Sequence, residues 1–191
     1  MIVRRNSIIK SINQINQIFI FDTNIFLKGI NFNLIKEEIY TTQNVLDEIK
    51  VSRYQEKNRN ILNRIHAAID NNKLIIKSPQ VKYFNKVVET SKQTGDFKIL
   101  SETDIELIAL TLEFQEQGLN VILYTNDYSM ENVCSELKVQ FSALGINGIQ
   151  SKMVFEAYCP FCEIIYPPDF LNMYCERCGE KIRRRRKKNG R

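Results

Sequence analysis

Phe19-Ile20-Phe21-Asp22-Thr23-Asn24 closes a short apolar run, residues 18–21, on an acid and two small polar residues. The run is rich in β-formers and shows no polar alternation. That is the pattern of a strand buried on both faces, as in a parallel sheet under helices. Open α/β sheets bind their ligands just beyond the carboxyl ends of their strands. An acid in that position is placed for chemistry. Its bland use would be to cap the following helix.

Working outward, the same pattern recurs. Val121-Ile122-Leu123-Tyr124 is again wholly apolar and ends in Thr125-Asn126-Asp127. Shorter strands are expected at 39–41, 74–76 and 139–141. Helices are expected between them: 24–30, stopped by Gly29, and one from Gln43, capped by Thr42 with Val45, Leu46 and Ile49 as its stripe. Others are expected at 55–70, at 80–93 broken by Gly95, and from a Thr103-Asp104-Ile105-Glu106 capping box to about 117. A last one, 130–137, follows a cap at Ser129. Strands alternating with helices predict an α/β fold: a parallel sheet with helices on both faces. This domain takes residues 1–150, with 1–17 polar and basic, adding a helical turn or staying loose.

The totals set bounds. The chain has 191 residues, a 43% hydrophobic content and a formal charge of +5. No apolar run nears the roughly 20 residues of a membrane span. The start lacks a signal-peptide core, so a soluble cytoplasmic protein with no membrane partner is expected. Seven positive charges fall in 183–191, leaving −2 on the rest. Arg183, Arg184, Arg185, Arg186, Lys187 and Lys188 read as a disordered basic arm for nucleic acid. His66, the only histidine, reads as a helix-surface residue.

The chemistry follows from the sheet. Asp22 and Asp127 follow strands whose carboxyl ends share one edge. Glu48, in the helix after the second strand, can reach that edge, and so can Asp104 if its helix begins there. Four carboxylates in one cleft repel one another unless a cation sits among them. Mg²⁺ or Mn²⁺ suits such an oxygen set and can promote in-line attack on a phosphodiester. A phosphorelay receiver also has an acid after a buried strand, but Glu48, Asp104 and the cysteines below argue against it. A haloacid-dehalogenase phosphatase needs an acid at position 24, which is Asn24.

Cys159-Pro160-Phe161-Cys162 and Cys175-Glu176-Arg177-Cys178-Gly179 form two C-x-x-C pairs twelve residues apart. Together they can hold one tetrahedral Zn²⁺ with no open position, a structural site in a small zinc ribbon over 155–182. Phe155, Tyr158, Phe161, Tyr166, Phe170 and Tyr174 supply its core or stack on unpaired bases. Cys134, outside this set, reads as a buried apolar residue.

Asp22-Thr23-Asn24, the Thr42…Val45…Glu48 helix, Ser101-x-Thr103-Asp104 and Thr125-Asn126-Asp127-Tyr128-Ser129 resemble the motifs of PIN-domain ribonucleases. With the ribbon, the chain is similar to the Nob endonucleases that trim the 3′ end of small-subunit ribosomal RNA. The compact layout is like that of the archaeal members, and the resemblance covers about residues 18–180. It implies that Asp22, Glu48, Asp104 and Asp127 bind Mg²⁺ or Mn²⁺. Glu48 rather than Asp47 is matched because it lies three residues after Val45. Many relatives carry an acid where this chain has Asn126, so this cluster is one charge weaker. The implied activity is endonucleolytic hydrolysis of single-stranded RNA, leaving a 5′-phosphate and a 3′-hydroxyl, on precursor rRNA in a pre-ribosomal particle. A toxin-like PIN ribonuclease and a non-catalytic RNA-binding assembly factor are the alternatives.

Overall fold

A computed structural model describes residues 17–51, 55–143 and 155–187. β1 (Ile18–Phe21) leads into α1 (Thr23–Leu27), a 3-10 turn and β2 (Glu38–Thr41). Next come α2 (Gln43–Val51), α3 (Gln55–Asp70) and β3 (Leu74–Ile76). α4 (Val81–Thr94), α5 (Glu102–Glu116), β4 (Val121–Tyr124), α6 (Tyr128–Leu137) and β5 (Phe141–Ser142) complete the body.

The five strands are all parallel, in the order β3-β2-β1-β4-β5. The chain winds outward from β1 through β2 to β3, then crosses back to β4 on the other side of β1. The winding reverses between β1 and β4, and such switch points are where open α/β sheets form their clefts. α1, α2 and α3 pack on one another, as do α4, α5 and α6. Ile20, Ile39, Leu123, Val45, Ile49, Leu107, Ile108 and Leu110 are buried in the shared core. Leu107 through Leu110 are all fully buried, so α5 is enclosed on every side. Among the described residues no helix is long and apolar enough to cross a membrane.

Several boundaries move from the sequence reading, each for a local reason. The capping box of α5 uses Ser101 and Asp104, because Ser101 is the residue in extended conformation and Thr103 is already helical. α6 is capped by Asp127, and Ser129 lies inside it. Thr42 precedes α2, but its buried hydroxyl makes no capping hydrogen bond. β5 begins at Phe141, and Val139 is buried just ahead of it. Of the stretch expected to be loose, residues 1–16 lie outside the described residues, as do Gly145 and Gly148.

A second, antiparallel sheet is built from β6 (Phe155–Tyr158), β7 (Ile165–Tyr166) and β8 (Arg183–Arg186), in the order β7-β6-β8. This corrects the expectation of a disordered arm from residue 183 and extends the ribbon past 182. Alternation along a strand sends neighbouring arginines to opposite faces. Arg183, Arg184 and Arg185 each find a local partner. Arg185 Nε donates to Glu156 at 2.8 Å, and its guanidinium lies 4.3 Å from the Tyr158 ring centre. Arg184 sits 3.6 Å from the Phe155 ring centre, and Arg183 approaches Glu180 at 3.8 Å. Fully buried Ile182 anchors the strand. Aromatic faces and acids thus absorb charges that in isolation would keep the segment in solvent. Lys188 and Arg191 lie outside the described residues.

Candidate active site and metal centre

The cleft forms where β1 and β4 end side by side. Asp22 follows β1, and its backbone N–H donates to Tyr124 O of β4 at 3.2 Å. It occupies the cap position of α1, yet its carboxylate makes no capping hydrogen bond. Instead it accepts from Thr125 Oγ1, at the end of β4, at 3.1 Å. Simple capping therefore does not explain Asp22. The residue is 4% exposed. Burial first, then the charge of Asp104 and more weakly that of Glu48, pushes its pKa up to about 6.

The other acids are held by different local devices. Asp104 Oδ2 accepts from both the backbone N–H and the hydroxyl of Ser101, each at 2.8 Å. Burial raises its pKa, aided by the charges of Asp127 and Glu48, against the opposing Ser101 bonds. Asp127 Oδ1 accepts from the N–H of Ser129 at 2.6 Å and of Met130 at 3.3 Å, so one oxygen caps α6. Glu48 Oε2 accepts from Thr23 Oγ1 at 2.6 Å, across from α2 to α1. Asp47, its neighbour in sequence, is half exposed and paired with Lys50 at 3.1 Å. The charges of Asp104 and Glu48 thus act on Asp22, and those of Asp127 and Glu48 on Asp104, while Asp47 is turned away. His66 is exposed on α3 and Cys134 is buried in α6.

Sequence reasoning assigned no role to Thr23, Ser101 and Thr125, the hydroxyls that hold three of these acids. The available signal was position: each is a small hydroxyl residue within three positions of an acid at an element boundary, where side chains bond locally. Oxygen donors of this kind suit a hard divalent cation, although among the described residues no three of these carboxylates bring ligand atoms within 4.8 Å of one another.

Among the described residues only Cys159, Cys162, Cys175 and Cys178 bring three or more possible ligand atoms within 4.8 Å of one another. Two matching knuckles achieve this. In the first, Cys159 N donates to Ile164 O and Glu163 N to Cys159 O, both at 2.9 Å. In the second, Cys175 N donates to Glu180 O and Gly179 N to Cys175 O, both at 2.8 Å. The same turn made twice presents two sulfurs from each side. Tyr166 Oη lies 3.0 Å from Cys175 Sγ. That contact is the first cause of the Cys175 thiol's pKa falling to about 6. Sequence reasoning placed Tyr166 in the core or on unpaired bases, not against a thiol.

The knuckles differ at one position. Gly179 has φ +74°, and its counterpart Glu163 has φ +59°. A side chain resists this left-handed conformation. Glu163→Gly is expected to stabilise the ribbon by about 0.5–1 kcal/mol. Chelator competition, with the variant holding metal longer, would check it; faster metal loss would refute it.

The match to known proteins agrees with this arrangement. Residues 19–114 match the PIN domain of ribonuclease. The Endoribonuclease Nob1 of Methanocaldococcus jannaschii is 33% identical over 90% of this chain and 79% of its own length. The Ribonuclease VapC1 of Thermoplasma acidophilum is 28% identical over 89% of this chain and 79% of its own. The 20S-pre-rRNA D-site endonuclease nob1 of Schizosaccharomyces pombe is 34% identical over 41% of this chain and 18% of its own. With the parallel sheet, the carboxylates at its switch point and the four-cysteine ribbon, these matches show that the chain belongs to the Nob1 family of PIN-domain endoribonucleases.

Proposed function

We propose that this endoribonuclease trims precursor small-subunit rRNA at its mature 3′ end, within a pre-ribosomal particle in the cytoplasm. What supports the reading is that Asp22 and Asp127 follow the neighbouring strands β1 and β4, with Asp104 and Glu48 acting on Asp22, in a chain that also carries a zinc-type ribbon. The name of the S. pombe relative supports the substrate class.

Asp22, Glu48, Asp104 and Asp127 would hold Mg²⁺ or Mn²⁺. The bound ion would supply Lewis acidity toward water and the phosphodiester. The protein's own work is positional. Thr125 and Ser101 fix the carboxylates of Asp22 and Asp104, and the amides of α6 fix one oxygen of Asp127, leaving the other available. Cys159, Cys162, Cys175 and Cys178 would hold Zn²⁺ as a closed structural site. A toxin-like PIN ribonuclease, the alternative reading, has no need of a second module. The test is incubation with an rRNA precursor spanning the mature 3′ end, with Mn²⁺ or chelator, and mapping of the ends. One Mn²⁺-dependent cut at that end is expected. Indifferent cleavage of bulk RNA, or none, would refute the reading.

RNA attraction falls to fewer basic residues than the sequence implied. Arg184 and Arg185 are occupied by Asp96 and Glu156. Arg183 and Lys187 are exposed, and Lys188 and Arg191 follow. Each phosphate contact to single-stranded RNA adds roughly −0.7 to the slope of log affinity against log salt. Truncation after Lys187 removes Lys188 and Arg191 and spares β8. It should flatten that slope by about 1.4 if both engage. Binding isotherms across a salt series would measure this, and an unchanged slope would count against the tail as an RNA contact.

A further inference from the structure

The ribbon meets the nuclease body at Gly95-Asp96, outside the carboxylates assigned to metal. Gly95 ends α4 at φ +78°, and a Cβ there would sit 2.4 Å from the carbonyl oxygen of Phe155. The backbone of β6 therefore rests directly on the end of α4. Asp96, next in sequence, is fully buried. Its Oδ2 accepts from Asn132 Nδ2 of α6 at 2.6 Å. Its Oδ1 faces Arg184 Nη1 of β8 at 2.9 Å, an ion pair without ideal hydrogen-bond alignment. Phe155 carries the Arg184 guanidinium. One buried carboxylate thus joins α4, α6 and β8, and α6 is the helix that Asp127 caps.

A buried ion pair adds little net stability over an apolar contact, but it tolerates only one geometry. We infer that Asp96 and Arg184 determine which bond is cut, because they lock the ribbon to the body at a fixed distance from the carboxylate cleft. RNA gripped by the ribbon then reaches the acids in one register. Undocked, the ribbon would be tethered by the chain alone, and the spacing between grip and cleft would vary by on the order of 10 Å or more. The inference rests on the endoribonuclease reading above.

The test uses full-length, zinc-loaded protein: wild type, Asp96→Asn and Gly95→Ala. The first variant removes the charge, and the second wedges the interface without touching it. Docking is read by hydrogen exchange at 95–97 and 155–158. Cleavage is measured on a short unstructured oligonucleotide and on an rRNA precursor with ends mapped. Both variants should keep zinc and lose protection at the junction. They should cut the oligonucleotide within about 3-fold of wild type and the precursor about 100-fold more slowly at the wild-type bond. New ends should appear several nucleotides to either side. Undocked variants that still cut the single wild-type bond at full rate would overturn the lock, as would variants that stay docked. A wild type that cuts neither RNA would bring down the endoribonuclease reading and the lock together.

Discussion

Asp22→Asn is expected to stop cleavage while making the metal-free protein more stable at neutral pH. The amide keeps the shape and the bond from Thr125 but cannot attract a cation, so a loss of at least about 100- to 1,000-fold is expected. The stability effect follows from linkage. The Asp22 carboxyl is raised from 3.8 to about 6. It therefore binds its proton more tightly in the folded state than in the unfolded one. Wild-type stability then falls as pH rises from about 4 to about 6, by at most roughly 3 kcal/mol. Asparagine carries no such cost. In chelator, the variant should melt above wild type at pH 7, and the gap should close near pH 4. Divalent-metal affinity of the wild type should weaken as pH falls through about 6, where Asp22 takes up its proton. A variant that cleaves normally would refute the assignment of Asp22. A variant less stable than wild type at pH 7 would refute the account of its burial.

Cys159→Ser is expected to unfold the ribbon and leave the body folded. The apolar core of the ribbon is small: Ala157, Cys159, Cys175 and Ile182 cluster together, and Leu171 is buried as well. Structural zinc supplies an apparent folding energy of about 10–16 kcal/mol in comparable small domains. The body has its own extensive core. Zinc content should fall from about one per chain to none. Ribbon amides should lose hydrogen-exchange protection, and the body should keep a single cooperative melt. Its midpoint should drop by only a few degrees, because Asp96 becomes solvated once Arg184 leaves. A ribbon that stays protected without metal would refute this.

Much of the fold was legible in sequence because the body's strands are short apolar runs with abrupt ends. Residues 18–21 and 121–124 could hardly be anything else, and the acids after them followed from topology. The alternation rule fails where the partner supplies what the strand lacks. Arg183–Arg186 carries no apolar residue, and its pairing with β6, the contacts to Phe155, Tyr158, Glu156 and Asp96, and buried Ile182 just before it hold it as a strand. Asp104 was found by its motif but placed within the wrong capping box, because Ser101 and Thr103 offer similar hydroxyls two residues apart. Gly95 reads as a helix stop either way. Its contact with Phe155 is 60 positions distant and leaves no local trace.

β1 lies in the middle of the sheet, and its neighbour β4 comes from far down the chain. The hydroxyl that holds Asp22 lies 103 residues away in sequence. Closing so long a loop costs entropy before any contact repays it, so this pairing is slow compared with the local helices. A growing polypeptide emerges from its N-terminal end. Asp22 and Glu48 therefore leave the ribosome well before Thr125 and Asp127. Until Thr125 and Asp127 emerge, the nascent chain lacks the β4 side of the cleft. The cleft is therefore completed late, when β4 pairs beside β1 and Thr125 reaches Asp22.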